Sequence, residues 1–572
     1  MSVIHYNHTL TQCSLRISTA MTRFSVFTLL PLASACLLAC AVQPAFAQTA
    51  PDAGRTLREQ TAPTLQAPRS SEGLRLVTPS TEKILPGGAT VTLKTVRVQG
   101  NTVLSESELL LALGTVTGQS FDMAGLRDLA DRVALVYHDA GYPFTRAYLP
   151  QQDLSSGQLT IDVIEGRYGQ IKAIGDQTLS ADAESFLANL KSGEVIESSE
   201  LERATLILDD LPGVKTGPVI RPGQSFGTGD LDVEVQRTPL IHGDIGYDNY
   251  GNHYSGEHRG RANVLVDSPF MLGDQVQLSG VGTSESLWLG SLGYSLPIGS
   301  NGWRGQVSYA HTHYQLGKEF ASVRDNGMAS VGSIGTTYQW VRSQASNLSL
   351  SMSLQHKELQ DRQDATGSST DKTSNIAPIS LQFDHRDLFA GGGLSYGNFV
   401  FTAGQLKLGP QLKEHDLLSG IHSNGHFQKW NLDVARIQNT GLEGLSLFGR
   451  FTGQWSDKNL DSSEKFGLGG ANGVRAYPTG EGYGDDGWLA QVELRYAIGD
   501  FSPYAFYDAG SIRINAKRNI DRSIAGAGIG SRYVLGPWSV DGSLAWRTEG
   551  GRPETDTTNR IPQAWLTTSY RF

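Results

Sequence analysis

The amino-acid sequence predicts a mainly β fold, in which a transmembrane β-barrel of about 16 antiparallel strands follows two small α+β modules. Three observations support this fold class: an export signal at the N-terminus, a repeated order of strands and helices up to residue 238, and long alternating segments over 239–572. Glycine is abundant, at 66 of 572 residues, only 18% of residues are charged, and the mean hydropathy is −0.26. This average is typical of strands that alternate lipid-facing apolar with lumen-facing polar side chains.

Residues 1–47 are predicted to be a secretory signal peptide. Arg16 and Arg23 precede an apolar run, and Ala45-Phe46-Ala47 supplies the small residues that favour cleavage before Gln48. An exported chain of this kind folds outside the cytoplasm, where disulfides form readily.

Two alternatives at the N-terminus stay open. Translation could begin at Met21, and Cys40 lies in a weaker, lipoprotein-like signal. The three cysteines, Cys13, Cys36 and Cys40, all precede Ala47, so the mature chain is expected to lack thiols. This excludes a disulfide scaffold and a thiolate metal site.

The charge and the hydropathy pattern limit the partners of the chain. The net charge is −10, and residues 1–47 contribute two arginines and no acidic residue, so the mature chain is more acidic still. An acidic chain is a poor nucleic-acid binder, and no nucleic-acid partner is expected. After the signal, no segment reaches the 18 or more apolar residues that a spanning helix needs. A closed barrel is then the way in which this chain would cross a membrane.

Residues 48–90 are predicted to be a linker, because proline, glycine, serine and threonine dominate them. Within the linker, 54–60 could form two helical turns and serve as a short plug helix. A helix of that length is stable only when it packs against something else.

Two copies of one α+β module are predicted over 91–168 and 169–238. The first copy has the order β-α-α-β-β, from alternating or helical spacing over 91–98, 105–111, 123–137, 144–149 and 159–166. The second copy repeats that order over 171–174, 179–190, 200–211, 219–222 and 231–235. A repeat of this size indicates two consecutive modules rather than one larger domain.

From 239 to 572 the helical spacing disappears and long alternating strands begin. Clear examples are 348–355, 445–455 and 488–496, in which apolar and polar residues alternate. Runs of about 9–11 residues suit a tilted membrane-spanning strand, whereas soluble strands average five or six. A soluble β-sandwich also alternates and is the less favoured alternative.

Five segments resemble the TpsB-type transporters of two-partner secretion, the haemolysin secretion/activation proteins. Val96–Asn101 and Leu159–Gly166 resemble the opening and closing strands of a first POTRA module, and Asp210–Val214 resembles a marker of the second. Val474–Tyr477 is similar to the tip of the long sixth extracellular loop, and Phe506–Gly510 to its partner motif on a barrel strand. The resemblance covers the whole mature chain.

The resemblance implies a fold and a function for each part of the chain. Residues 91–168 and 169–238 would be POTRA 1 and POTRA 2 in the periplasm, and 239–572 a 16-stranded barrel in the outer membrane. The modules would capture an unfolded exoprotein that carries an N-terminal secretion domain, and the barrel would export it. An extended segment can add to the edge of a small sheet. The alternative is that the modules are spacers or assembly handles.

A lumen pair of Arg475 and Asp508 is the predicted working part. Alternation places Phe506, Asp508 and Gly510 on one strand face, and a carboxylate cannot face lipid cheaply, so this face should line the lumen. Arg475 lies in a glycine-rich segment that could fold inward, and its planar fork suits a carboxylate. The alternative is two separate charges in water, worth about 0–1 kcal/mol as an ion pair.

Several residues are predicted to support this pair. In the loop they are Val474, Ala476 and Tyr477. The family usually has glycine where this chain has Ala476, which would cost about 1 kcal/mol if the backbone there needs a positive φ. The C-terminal Phe572 is predicted to be read by the outer-membrane barrel assembly machinery, although a strand-end aromatic explains it nearly as well.

Enzyme activity, a cofactor and a metal are not expected. No phosphate-binding loop is present, no Gly-x-Ser-x-Gly segment has the context of a nucleophile elbow, and His311 and His313 form a histidine pair without carboxylate support. Lipids and lipopolysaccharide of the outer membrane would surround the barrel. The rival functions are an outer-membrane assembly factor of the same superfamily, which usually carries three or five POTRA modules, and a simple diffusion porin.

Overall fold

The computed structural model describes residues 50–61, 65–68, 86–515 and 520–572. The predicted signal peptide, 1–47, lies outside the described residues. Across these described ranges, none of the helices combines the length and the hydropathy that a membrane-spanning helix requires. The first described element is the helix α1 (Ala53–Thr61), which falls within the predicted linker.

Module 1 is a small sheet covered by two helices. Its elements are β1 (Val91–Thr92), β2 (Thr95–Gln99), α2 (Glu106–Leu113), β3 (Ser120–Phe121), α3 (Met123–Asp139), β4 (Arg146–Tyr148) and β5 (Gln158–Ile164). The sheet order is β2-β5-β4, with β2 parallel and β4 antiparallel to β5, and β1 pairs separately with β3. The capping box that Ser105 and Glu108 form at the start of α2 is present.

The end of β5 is held by the buried carboxylate of Glu165. It accepts hydrogen bonds from the Thr102 hydroxyl, from the backbone N–H groups of Thr102 and Val103 (2.6 and 2.8 Å), and from the Tyr137 hydroxyl (3.0 Å). Burial by itself would raise the pKa of Glu165, but these hydrogen bonds lower it below its usual value. Glu165 therefore fixes the turn after β2 against the closing strand of the module.

Module 2 repeats the same architecture. Its elements are β6 (Arg167–Gly175), α4 (Gln177–Leu187), α5 (Ser198–Asp209), β7 (Val214–Pro222) and β8 (Thr228–Arg237). The sheet order is β6-β8-β7, with β6 parallel and β7 antiparallel to β8. The strand β6 begins at Arg167, two residues before the predicted boundary, because the chain passes from β5 to β6 through Glu165 and Gly166 alone.

Within the described chain, sixteen strands close into one antiparallel barrel, so the predicted fold class is confirmed. A short hairpin of β20 (Phe466–Gly467) and β21 (Tyr483–Gly484) and the helix α6 (Pro410–Leu418) lie in its loops. The barrel strands in chain order are β9 (Ile241–Asp248), β10 (Arg259–Asp267), β11 (Gln275–Thr283), β12 (Trp288–Ile298), β13 (Trp303–Gln315), β14 (Asp325–Arg342), β15 (Ser346–Gln363), β16 (Ser368–Asp387), β17 (Gly393–Leu408), β18 (Gly425–Asn439), β19 (Leu445–Ser456), β22 (Asp486–Tyr496), β23 (Phe501–Asn515), β24 (Ile520–Leu535), β25 (Trp538–Glu549) and β26 (Gln563–Arg571).

Each strand pairs with its sequence neighbour, and β26 pairs with β9 to close the cylinder. The closing register runs from Thr567 opposite Asp248 to Arg571 opposite Asp244. Some strands are longer than the predicted 9–11 residues, and β16 has 20. A tilted strand needs about 9–11 residues to span a membrane, so the longer strands are expected to extend beyond it.

Module 2 contacts the barrel through the segment 210–214. Arg342, at the end of β14, donates two hydrogen bonds to the Asp210 carboxylate (2.6 and 2.7 Å). The Ser268 hydroxyl, in the turn between β10 and β11, donates to the Pro212 carbonyl (2.6 Å). Arg203 on α5 adds bonds to two backbone carbonyls of β14. These contacts identify the barrel end that faces the modules.

Candidate functional site

The loop between β19 and β22, residues 457–485, folds into the barrel and is named here the lumen loop. Its tip is buried, with Val474 and Tyr477 at 0%, Ala476 at 2% and Arg475 at 5% exposure. The β20–β21 hairpin holds the two sides of the lumen loop together below the tip. The structure therefore places the four loop residues singled out from the sequence inside the cylinder.

Arg475 and Asp508 meet in a fork-to-fork ion pair. Arg475 Nε lies 2.7 Å from Asp508 Oδ2, Arg475 Nη2 lies 2.7 Å from Asp508 Oδ1, and the Arg475 backbone N–H donates to Oδ2 at 3.1 Å. Asp508 is completely buried. The structure thus excludes two separate charges in water, and a bidentate geometry of this kind is among the stronger hydrogen-bond arrangements.

Glu493 is a third member of the site that the sequence analysis did not single out. Its Oε1 accepts a hydrogen bond from Arg475 Nη1 (2.5 Å), and its Oε2 lies 2.7 Å from Arg495 and 3.3 Å from Arg532. The Phe506 ring covers the other side of Arg475, 3.5 Å from the guanidinium carbon. Glu493 shares a face of β22 with Gln491 and Arg495, and that alternation was the available signal for its position.

The charges around the tip balance. Three carboxylates face three guanidinium groups, namely Asp508, Glu493 and Asp541 against Arg475, Arg495 and Arg532. Asp541 accepts from Arg532 Nε (2.6 Å) and from the Tyr504 hydroxyl (2.7 Å). Removing one partner would leave a buried charge uncompensated, which typically costs about 3–5 kcal/mol.

The neighbours of the pair fill the space around it. The Tyr477 hydroxyl donates to the carbonyl oxygens of Glu549 (2.6 Å) and Gly551 (3.0 Å), which ties the tip to the loop after β25. Ala476 does not have a positive φ, so the strain considered for an alanine there does not arise. Its methyl group lies against Gly526, where an added Cβ would overlap it.

Phe506 and Gly510 also face the lumen beside the loop. Phe506 is 6% exposed, whereas its neighbour Tyr507 is 48% exposed on the outer wall. An added Cβ at Gly510 would come within 2.5 Å of the Leu468 side chain and 2.6 Å of the Trp488 carbonyl. Gly510 therefore lets the lumen loop approach the wall closely.

The base of the lumen loop is held by lysines from three strands. Lys357 and Lys429 lie 2.5 and 2.8 Å from the two oxygens of the buried Glu464 carboxylate. Burial alone would raise the pKa of Glu464, but the two ammonium groups lower it to about 2. Lys372 lies 2.8 Å from Asp461 and 2.7 Å from Asp52, just before α1.

The helix α1 lies inside the barrel, against the lumen loop. Arg55 donates to the Gly480 carbonyl (2.7 Å) and pairs with Glu59 (3.1 Å). Glu59 also accepts from Asn252 and from the Tyr483 hydroxyl, both at 3.1 Å. The predicted segment 54–60 is thus helical and packs against barrel and loop, which is the support that so short a helix requires.

Phe572 ends the chain at the seam of the barrel. Its backbone exchanges two hydrogen bonds with Gly243 on β9, both at 3.1 Å, and its side chain is half exposed. The residue therefore contributes directly to barrel closure.

One family model matches more than half of the chain. This model, haemolysin secretion/activation protein ShlB/FhaC/HecB, matches residues 227–533, and a ShlB-type POTRA domain matches 91–166. The heme/hemopexin transporter protein HuxB of Haemophilus influenzae (strain 86-028NP) is 26% identical over 464 residues, covering 78% of this chain and 81% of the relative. The outer membrane transporter CdiB of Escherichia coli is 26% identical over 443 residues, covering 74% and 72%. The solved structure of CdiB from Escherichia coli has a TM-score of 0.70 at 22% identity, covering 88% of this chain and 94% of that one, and supports the fold.

The first prediction concerns the anchor of the loop tip. Asp508→Asn and Arg475→Ala should each lower the free energy of unfolding of the barrel by about 3 kcal/mol, because each leaves a buried charge without its partner. The measurement is the denaturant dependence of heat-modifiable migration for the purified barrel.

Arg513→Ala is the matched control. Arg513 pairs with Asp486 across the same two strands, at 3.4 Å, but its side chain is 48% exposed. The expected loss of unfolding free energy is below about 1 kcal/mol. Equal losses of unfolding free energy in the anchor and control variants would show that the buried pair does not hold the loop.

Proposed function

Because the chain belongs to the haemolysin secretion/activation protein family ShlB/FhaC/HecB, we propose that it carries one partner exoprotein through its barrel to the cell surface or the medium. The chain is an outer-membrane β-barrel protein with POTRA modules on the periplasmic side. The observation that carries the proposal is that α1 and the lumen loop occupy the lumen. Only noncovalent contacts hold these two segments in that position. A diffusion porin needs neither a blocked lumen nor periplasmic modules. We propose no catalytic role for this chain.

The modules would capture the exoprotein as an unfolded chain. A cavity of about 260 Å³ lies between α5 and β7 and extends to Phe144 of module 1. The side chains of Leu201, Thr205 and Pro218 line it. A groove of this kind can hold apolar side chains of an extended polypeptide while its backbone lies beside the sheet.

The outer edge of β7 offers few donors to such a polypeptide. The Thr216 N–H already donates to the Asp209 carboxylate (2.8 Å), and Pro218, two residues on, has no N–H. These features protect the edge from unspecific strand pairing. We therefore assign exoprotein binding mainly to the groove side chains, with the N-terminal secretion domain as the cargo segment.

Transfer through the barrel would require α1 to leave the lumen. The contacts of α1 include hydrogen bonds and ion pairs to side chains and carbonyls, such as Arg55 to Gly480 and Asp52 to Lys372. An incoming polypeptide and water can replace such contacts one at a time. Folding of the exoprotein outside the cell would then draw the rest of the exoprotein outward, and no nucleotide hydrolysis would be needed.

The second prediction tests capture. A photo-reactive phenylalanine analogue in place of Phe144 should cross-link to the N-terminal secretion domain of the exoprotein, because this position borders the groove. The same analogue in place of Leu135, which is 56% exposed on α3, is the control. The readout is the cross-linked band after irradiation, and equal yields at the two positions would argue against the groove.

The third prediction tests the plug. Asp52→Asn combined with Arg55→Ala removes contacts of α1 to Lys372 and Gly480 and should increase the frequency of large conductance steps in planar bilayers. Thr61→Ala is the control, since the Thr61 hydroxyl donates only to Leu57 within α1. Unchanged conductance in the double variant would mean that α1 does not close the pore.

The fourth prediction tests export itself. Cells that express this chain with its partner exoprotein should release the exoprotein into the medium, and Arg475→Ala or Asp508→Ala should lower release about tenfold or more while the barrel still assembles. The control variant Arg513→Ala should release the exoprotein at the wild-type level. If deletion instead depletes other outer-membrane proteins and no exoprotein is exported, the chain is an assembly factor rather than a transporter.

A further inference from the structure

A histidine and three carboxylates meet at the barrel mouth opposite the modules. His253 and Glu257 lie in the loop between β9 and β10, Glu319 follows β13, and Asp556 lies in the loop between β25 and β26. His253 Nδ1 is 3.1 Å from Glu257 Oε1 and 4.0 Å from Asp556 Oδ1. The ligand atoms of these three residues all lie within 4.8 Å of one another.

The other ring nitrogen of His253 faces the third carboxylate. His253 Nε2 is buried, has no hydrogen bond of good geometry, and lies 3.4 Å from Glu319 Oε2. Metal-binding histidines commonly have this arrangement, with one nitrogen toward the ion and the other N–H directed to a carboxylate. The arrangement leaves Nδ1 as the ligand atom.

Each carboxylate is oriented by a further contact. Arg560 donates to both oxygens of Glu257, at 2.8 and 2.9 Å. Asp556 accepts from the backbone and the hydroxyl of Thr558, both at 2.7 Å, and Glu319 accepts from the Thr557 hydroxyl at 2.6 Å. These contacts orient the carboxylates in addition to the 3.1 Å hydrogen bond between His253 Nδ1 and Glu257 Oε1.

The charges of this cluster do not cancel. Three carboxylates lie around His253, and they face one guanidinium group, that of Arg560. The nearby Lys318 pairs with Glu285 instead (2.6 Å). A partly buried excess of carboxylates is unfavourable, and one divalent cation would offset it.

We propose that His253, Glu257 and Asp556 bind one divalent transition-metal cation of the zinc class, with Glu319 orienting the imidazole. Tetrahedral ligands at about 2.0–2.2 Å from zinc are separated by about 3.4 Å, so side-chain shifts of about 1 Å bring these atoms into place. Calcium prefers oxygen ligands alone, and the imidazole therefore favours zinc. The ion would connect the first and last external loops of the barrel.

The test is zinc binding to the intact chain purified in detergent and freed of metal with a chelator. Titration calorimetry should give one Zn²⁺ per chain, and zinc should raise the temperature of barrel unfolding. His253→Ala and Glu257→Gln should weaken binding at least tenfold and abolish the thermal shift. Cobalt added in place of zinc should give the visible absorption of a tetrahedral site in wild type only.

His311→Ala combined with His313→Ala is the matched control, because it removes two histidines of β13 outside the cluster. This variant should bind zinc as wild type does. Glu319→Gln changes a more exposed, non-ligating carboxylate and should weaken binding by a smaller factor in a barrel that still folds. No zinc binding to wild type, or equal binding to wild type and His253→Ala, would overturn the proposal.

Discussion

The pairing of Arg475 with two buried carboxylates is the interaction on which the inner structure of the barrel depends. Placing charge inside a protein is costly unless geometry and partners are nearly ideal, and here Asp508 and Glu493 together engage every nitrogen of the guanidinium group. Since the two carboxylates belong to adjacent strands, Arg475 can satisfy both only when the lumen loop is folded inward. The same arrangement positions Gly480, the carbonyl of which receives the hydrogen bond from Arg55 of α1.

The contacts that hold α1 differ in kind from those that hold the loop tip. The tip combines a bidentate ion pair with a dense apolar cluster that includes Val474, Tyr477 and Phe506. The helix has fewer apolar contacts, through Ala53 and Leu57, and Lys372 divides its charge between Asp52 and Asp461. If Asp52 leaves, Lys372 keeps Asp461, so departure of the helix does not strand a buried ammonium group. The structure therefore allows α1 to move while the loop base stays in place.

The sequence predicts the barrel well because a two-residue period is clear in long strands such as β15, β19 and β22. It predicts the lumen face of β23 because Asp508 cannot face lipid. It does not reveal Glu493 as a partner of Arg475, since β22 carries Gln491, Glu493 and Arg495 on one face and only the loop geometry selects among them. Nor does it reveal the pairing of Lys372 with Asp52, because 320 residues separate the two and no local pattern links them. Contacts of such sequence separation depend on barrel closure, which is a property of the whole chain.

Ala476 shows how a departure from the family pattern is accommodated. A glycine at a loop tip usually indicates a left-handed backbone or a close approach to a neighbour. The first requirement is absent, because Ala476 has no positive φ. The second requirement is met by a glycine on the barrel wall instead. Gly526, on β24, has no side chain where the Ala476 methyl lies. Gly526 is also the register partner of Asp508. The strand position beside the buried carboxylate is thus the one that must stay small, and the space there determines which residue the loop tip can carry.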